Sequence, residues 1–233
     1  MTKSVTSFDM KGRYAHFCSP FTNVYRLTQP CPTKTAIVGF IGAILGRDRD
    51  DFRLYEDIQC GVEINSPYRT KSATFTMRKD FPGKKKNEEH SLTSVEFIVD
   101  PCYRVYVAGE NSLINELYGS LSAGENRYTP YLGLAQCIAS TDFQPTPPTE
   151  YRLAVGPHAE VSGAFIRGIH GELDFVALNG DRHRLTEFSG LSGVSHGRRF
   201  AHAVFSVNLN PHPVPLKQIG QVIAVGEKHI GVF

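Results

Sequence analysis

The residues best placed to do chemistry in this chain are three that open a helix and a cluster of cations forty residues later. Thr33, Lys34 and Thr35 follow the stiff corner Pro30-Cys31-Pro32 and precede the apolar stripe Ile37, Ile41, Ile44 and Leu45, whose spacing is that of a helix face. The first turn of such a helix presents amides with no partner inside the helix, and these attract an anion such as phosphate. Read this way, all three residues face outward; simple capping is the bland alternative. Between positions 67 and 90 stand seven basic residues (Arg69, Lys71, Arg78, Lys79, Lys84, Lys85, Lys86) against three acidic ones, a local charge of +4 in a chain whose net charge is only +2. A charge run alone reads as a solvated loop. Here the cations alternate with Phe75, Met77 and Tyr68, and charge interleaved with stacking surface is how single-stranded RNA is gripped.

Acid–base chemistry is harder to assemble. Metal-independent RNA cleavage needs a base for the 2′-hydroxyl and an acid for the leaving oxygen, held within hydrogen-bond reach. Seven of the nine histidines lie after position 150 and none has metal-ligand spacing. His16 falls on the apolar side of a strand and reads as a core residue, while Lys228-His229 is the only adjacent Lys-His pair. No P-loop, no strand-adjacent Gly-x-Gly-x-x-Gly and no Gly-x-Ser-x-Gly elbow occurs. We therefore expect no catalytic residue, no metal and no cofactor. The alternating charges of residues 47–51 read as a solvated helix end.

The elements that must position these residues follow from periodicity. Phe8, Met10 and Tyr14 alternate with Asp9, Lys11 and Arg13, predicting a half-buried first strand. The helix comes next, with glycines at 39, 42 and 46; mid-helix glycine costs roughly 1 kcal/mol relative to alanine, so Gly39 and Gly42 predict a backbone pressed close against a neighbour. Ile58, Cys60, Val62 and Ile64 make a second strand. Residues 95–107, broken near Pro101, make a third, and Leu113, Leu117 and Leu121 a helix ending near Gly124. With a short strand at 131–138 the order is β-α-β-β-α-β, a ferredoxin-like, RRM-like arrangement in an α+β protein. Residues 1–142 form this palm. The basic segment, 66–92, is an inserted β-hairpin thumb, 143–150 a proline-rich linker, and 151–233 a small antiparallel β domain with a hairpin signal at Asn179-Gly180.

Five cysteines without Cys-x-x-Cys spacing suit a reducing compartment. The N-terminus has no hydrophobic signal core, and the apolar run at 36–45 is about half a membrane span, so a cytoplasmic location without a membrane is expected.

The pattern Pro-x-x-x-Ala-x-x-Gly-x-x-Gly-Ala-Ile-Leu-Gly after the Phe21-Thr22-Asn23 loop, with Pro130-Tyr131-Leu132-Gly133 downstream, resembles the Cas-five family, RAMP subunits of type I CRISPR Cascade complexes. The likeness spans roughly residues 5 to 140. It implies a non-catalytic subunit whose palm and thumb hold the 5′ handle of crRNA. Such a subunit caps the Cas-seven backbone filament and docks the large Cas-eight-type subunit that reads the PAM, reaching target DNA only through the assembled complex. We expect the handle contacts at Thr22, Asn23, Tyr25, Arg26, Thr33, Lys34 and Thr35 in the palm, Arg69, Lys71, Arg78 and Lys79 on the thumb, then Arg127 and Tyr128. One branch of the family, in type I-C systems, is a pre-crRNA endoribonuclease using a Tyr, a Lys and a His. That is the alternative reading, and Lys228-His229 is the only neighbour pair available to it.

Overall fold

The first strand, β1 (Lys3–Lys11), is buried on both faces. Phe8 and Met10 enter the large core, whereas Val5 on the opposite face packs with Tyr106, Ala108, Ile223, Ile230 and Val232. The half-buried strand expected from alternation is thus covered twice, because the C-terminal half lies over the face left open by the helices. The computed structural model describes residues 3–22, 25–48, 53–79, 89–195 and 199–233.

α1 (Lys34–Leu45) and α3 (Asn111–Ala123) stop where glycine permits a left-handed cap, at Gly46 (φ 70°) and Gly124 (φ 66°). Between them lie the short helix α2 (Arg53–Asp57), β3 (Gln59–Ile64) and β6 (Cys102–Glu110). A four-stranded sheet forms in the order β3-β6-β1-β7, antiparallel throughout. Its fourth place is taken by β7 (Thr149–Glu150) and not by residues 131–138. Those contribute a single bridge, Tyr131 to Ile138, because Gly133 (φ +87°) turns the chain into a tight loop against His16. A Cβ on Gly133 would stand 1.9 Å from the His16 carbonyl oxygen. Residues 143–150, read from their prolines as a linker, lie along β1: Phe143 O accepts from Asp9 N–H, and Thr146 N–H donates to Ser7 O.

β4 (Thr70–Lys79) and β5 (Glu89–Val99) pair in continuous antiparallel register from Thr70–Ile98 to Lys79–Glu89, with β2 (Tyr14–Ala15) on the other edge of β5. The thumb is therefore a hairpin, but its second strand runs to Val99 instead of ending near 92. The turn at Asp100 (φ 47°) and Pro101 separates it from β6. The hairpin tip, 80–88, with Lys84, Lys85 and Lys86, lies outside the described residues.

In the C-terminal half, β8 (Arg152–Ser162), β9 (Gly171–Leu173), β12 (Val214–Val225) and β13 (Lys228–Gly231) form one sheet, and β10 (Leu185–Ser195) with β11 (Arg199–Asn208) a two-stranded ladder. The pairing is antiparallel except for β13 on β8. Residues 163–169 and 174–178 form turns and isolated bridges, and Asn179-Gly180 closes a loop rather than a hairpin. Phe188, Phe205, Val207 and Phe233 share the large core with α1 and β6. Phe233 exchanges two backbone hydrogen bonds with Cys60 (3.0 and 2.9 Å), so Phe233 extends the β3 edge of the four-stranded sheet.

Candidate nucleic-acid interface

The loop from 16 to 29 is stitched from three sides. His16 N–H donates to Leu132 O (3.0 Å), Ser19 N–H to Leu27 O (3.0 Å) and Gln29 N–H to Phe17 O (2.7 Å). The thumb base supplies the third side: Arg26 N–H donates to Ser94 O (3.0 Å), Arg26 O accepts from Glu96 N–H (2.9 Å), and the Glu96 carboxylate takes Thr28 N–H (3.1 Å). Glu96 O also meets His16 Nδ1 at 2.7 Å. Arg26 is half-buried in this junction, Tyr25 is 66% exposed beside it, and Thr22 Oγ1 accepts from Leu27 N–H (3.3 Å). Asn23 lies outside the described residues.

The helix start borders a cleft of about 340 Å³ between α1 and the Gly133 loop. Thr33 makes no side-chain cap; its hydroxyl bonds the Thr35 hydroxyl (2.9 Å) instead of a first-turn amide. Gly39 lines the same cleft, and nothing lies within 4 Å of where its Cβ would be; the nearest atom for Gly42 is Arg47 Cβ at 3.9 Å. The glycines therefore do not mark a helix pressed onto the sheet. At Gly39 the missing side chain opens the groove.

Lys34 corrects another expectation. It is 7% exposed, its ammonium 4.5 Å from the centroid of Tyr55, and burial lowers its pKa. The helix turns it away from Thr33 and Thr35 into the α1–α2 contact, so it is no outward cation. Arg127 and Tyr128 follow the other end of α1, donating their N–H groups to Ile44 O (3.2 Å) and Ala43 O (2.9 Å). The Arg127 stem lies across Gly46, where a Cβ would meet its Cγ at 2.7 Å. On the thumb, Lys71 and Arg69 are exposed, Arg69 facing Asp100 at 3.7 Å. Phe75, 46% exposed, packs edge-on against Phe97, keeping part of its ring for solvent. Tyr68 is half-buried at the hairpin base, where burial, aided by Glu96, pushes its pKa up to about 12. Arg78 and Lys79 belong to β4, but their side chains lie outside the described residues.

Lys228 and His229 share one cleft, and His16 lies in another. His16 is buried (1% exposed) at the α1 cleft, as expected of a core histidine. Lys228 and His229 line a different cleft, beside the β3 end. Lys228 Nζ donates to both oxygens of Glu63 (2.9 and 3.0 Å), Tyr106 OH donates to Glu63 Oε2, and His229 Nδ1 is 3.3 Å from Glu160 O. Burial, then Glu63, pushes the Tyr106 hydroxyl far above its ordinary pKa. This Glu63–Tyr106–Lys228 group was not foreseen. Its one legible signal was a carboxylate, Glu63, standing between the apolar Val62 and Ile64 of a strand. Elsewhere His170 is buried, with Nδ1 accepting from Ile166 N–H (2.9 Å) and Nε2 on Val232 O (2.9 Å). Among the described residues no three His, Cys, Asp or Glu side chains gather as a metal cage, and no helix is long and apolar enough to cross a membrane.

Among curated proteins none matches this sequence. Several solved structures share its fold, among them two at a TM-score above 0.5. A chain of a "CRISPR RNA-guided surveillance complex" is 16% identical, with 91% of each chain covered and a TM-score of 0.54. A CRISPR protein from Archaeoglobus fulgidus is 10% identical, with 98% of each chain covered and a TM-score of 0.56. The profile of the family described as "CRISPR-associated protein (Cas_Cas5)" matches residues 7–160, about two thirds of the sequence and nearly all of the sheet, helices and thumb just described. The chain belongs to this CRISPR-associated Cas5 family.

Proposed function

We propose that the chain is a non-catalytic subunit of a type I CRISPR effector complex, in the cytoplasm, that holds the 5′ handle of crRNA. In this reading residues 1–142 with β7 are a ferredoxin-like palm, which the sheet order β3-β6-β1-β7 with α1 and α3 on one face supports. The observation that carries the proposal is the junction at Arg26 and Glu96. Backbone hydrogen bonds there join the thumb base to the loop that leads into α1, so a cationic hairpin and an anion-favouring helix start are presented at fixed separation. Arg26, Tyr25, Thr22, Thr33 and Thr35 line the palm side, Arg69, Lys71, Arg78 and Lys79 the thumb side, and Arg127 and Tyr128 extend the surface along α1. The Cas-seven backbone subunit and a large Cas-eight-type subunit are its protein partners, and target DNA near the PAM is met through the assembled complex.

A binding role without cleavage is supported by the separation of His16 from Lys228 and His229 into different clefts, and by the engagement of the Lys228 amine with Glu63. The purified protein is expected to bind crRNA carrying its handle more tightly than the same RNA without it across a salt series. In EDTA it should release no specific product from repeat RNA. Equal affinity for both RNAs would reduce the interaction to counterion release. Specific cleavage lost on His229→Ala would replace the binding role with an endoribonuclease.

A further inference from the structure

The edges of the four-stranded sheet are closed, whereas one edge of the hairpin is open. The outer side of β3 is taken by Phe233 at Cys60 and by Ala164 N–H at Val62 O, and β1 is covered in part by β7. β4 runs for ten residues, pairs with β5 alone and keeps continuous register, with neither a bulge nor a proline to blunt it. Which of its groups point outward follows from the alternation of the ladder. Arg69 O accepts from Val99 N–H, and on the far side of β5 Ser94 O and Glu96 N–H are engaged by Arg26. Lys71, Ala73 and Phe75 therefore exchange hydrogen bonds with β5, while Ser72, Thr74 and Thr76 turn their N–H and C=O groups to the open edge. Thr74 Oγ1 lies 3.2 Å from Ser94 Oγ, as the closer side chains of a non-hydrogen-bonded pair do. Ser72, Thr74 and Thr76 are exposed, and among the described residues no backbone group meets theirs.

We infer that this edge accepts an extended, acidic segment of a partner protein as an added strand. The inference goes beyond the RNA-binding reading, which uses the side chains of the hairpin and not its backbone edge. Each outward residue offers one donor and one acceptor, and an extended polypeptide returns both. A phosphate backbone brings ionised acceptors, which would face the carbonyls of Ser72, Thr74 and Thr76 with like polarity. Charge narrows the choice among polypeptides. Residues 69–79 include Arg69, Lys71, Arg78 and Lys79 and no acidic residue. A second copy of β4 would bring the same cations, and like charges set opposite one another destabilise a strand pair. Lysine on an edge is one of the ways a strand is kept from pairing with its own kind. The same lysine favours a strand of opposite charge.

The test titrates an extended peptide of about nine residues, glutamate alternating with valine or threonine, and its lysine-for-glutamate counterpart, into the whole chain. Wild type is compared with Thr74→Pro, which removes one outward N–H and leaves the ladder to β5 in place, and with Thr74→Val, which keeps that N–H and removes the hydroxyl. The acidic peptide is expected to bind wild type and Thr74→Val alike and Thr74→Pro about tenfold more weakly or worse, with the lysine peptide as weak on the wild type. Amide exchange followed by NMR on the wild type should slow at Ser72, Thr74 and Thr76 when the acidic peptide binds, and stay unchanged at Ala73 and Phe75. That pattern is read without any variant, so it decides the matter even if Thr74→Pro unfolds the hairpin. Absence of binding by the acidic peptide overturns the inference, as does binding that slows no outward amide. Dimerisation of the wild type through these amides would assign the edge to a second copy and overturn it too. So would a loss of handle-bearing crRNA by folded Thr74→Pro equal to its loss of peptide, which would give the edge to RNA. A wild type that takes the peptide in this pattern but shows no handle preference overturns the proposed function and leaves the added strand standing.

Discussion

The loop–helix junction and the thumb hairpin, which the proposed function assigns to one polyanion, are built in opposite ways. At the junction, loop 16–29 is tied by backbone hydrogen bonds to the Gly133 loop, to itself and to β5, and its few polar groups sit at set positions. The thumb is a two-stranded ladder with exposed Lys71, Arg69, Phe75 and Leu92. The difference separates two kinds of recognition: fixed amides and a shaped cleft discriminate, whereas charge on a projecting hairpin attracts through counterion release.

The sharpest way to break the comparison is Gly133→Ala. A methyl group there would overlap the His16 carbonyl at positive φ, so a loss of about 3 kcal/mol or more is expected, read as a lowered urea midpoint, with loss of handle preference. Gly39→Ala is its counterpart. With open space around the site and a helical backbone, stability should rise by up to about 1 kcal/mol while the methyl narrows the α1 cleft and weakens handle preference.

Glu96→Ala removes the carboxylate that takes Thr28 N–H and should cost about 2 kcal/mol, loosening the loop at Thr28 while the backbone bonds of Arg26 to β5 remain. Handle preference should fall more than affinity for an unrelated RNA; a uniform fall in both would mean that the junction contributes only charge. On the thumb, Arg69→Ala with Lys71→Ala should weaken binding to many RNAs and reduce the slope of log affinity against log salt by roughly 1.5. Unchanged slope would remove these two residues from the phosphate path.

Smaller effects are expected away from the interface. Burial lowers the pKa of His170, so its folded value lies below the unfolded value of 6.5. The stabilisation from its neutral form is complete above that unfolded value and drains as pH falls toward and through the folded one. The urea midpoint of the wild type should therefore drop more on acidification from about pH 7 to about pH 5 than that of His170→Gln. Lys34→Met should leave handle affinity unchanged, because the ammonium faces Tyr55; a loss comparable to the thumb variant would return Lys34 to the interface.

What was legible in the sequence was local. The apolar stripe of α1, the helix end at Gly124 and the long basic insertion are each set by residues within a turn or two of one another, and they stand where the sequence places them. Residues 131–138 misled because Tyr131 to Ile138 carries strand-like residues while Gly133, the residue that bends it, is meaningful only once His16 packs against it. The site divided in the same way. Thr33 and Thr35 face the α1 cleft, but Lys34, chemically the most persuasive of the three, points elsewhere because a helix rotates each successive side chain by about 100° and one of these directions meets Tyr55.

Composition and periodicity by themselves determined that this is a chain of mixed helices and strands with a helix from Lys34 and a basic insertion between two strands. Only the tertiary structure decided that Lys228 ends on Glu63 rather than beside His16, that Arg26 is hydrogen-bonded into the thumb base, and that Gln29 lines a cleft closed by strands more than 150 residues away. The reason is physical. Local pattern follows from interactions along a few bonds, whereas a cleft or an ion pair exists only after the entropy of closing long loops has been offset by the burial of a shared core.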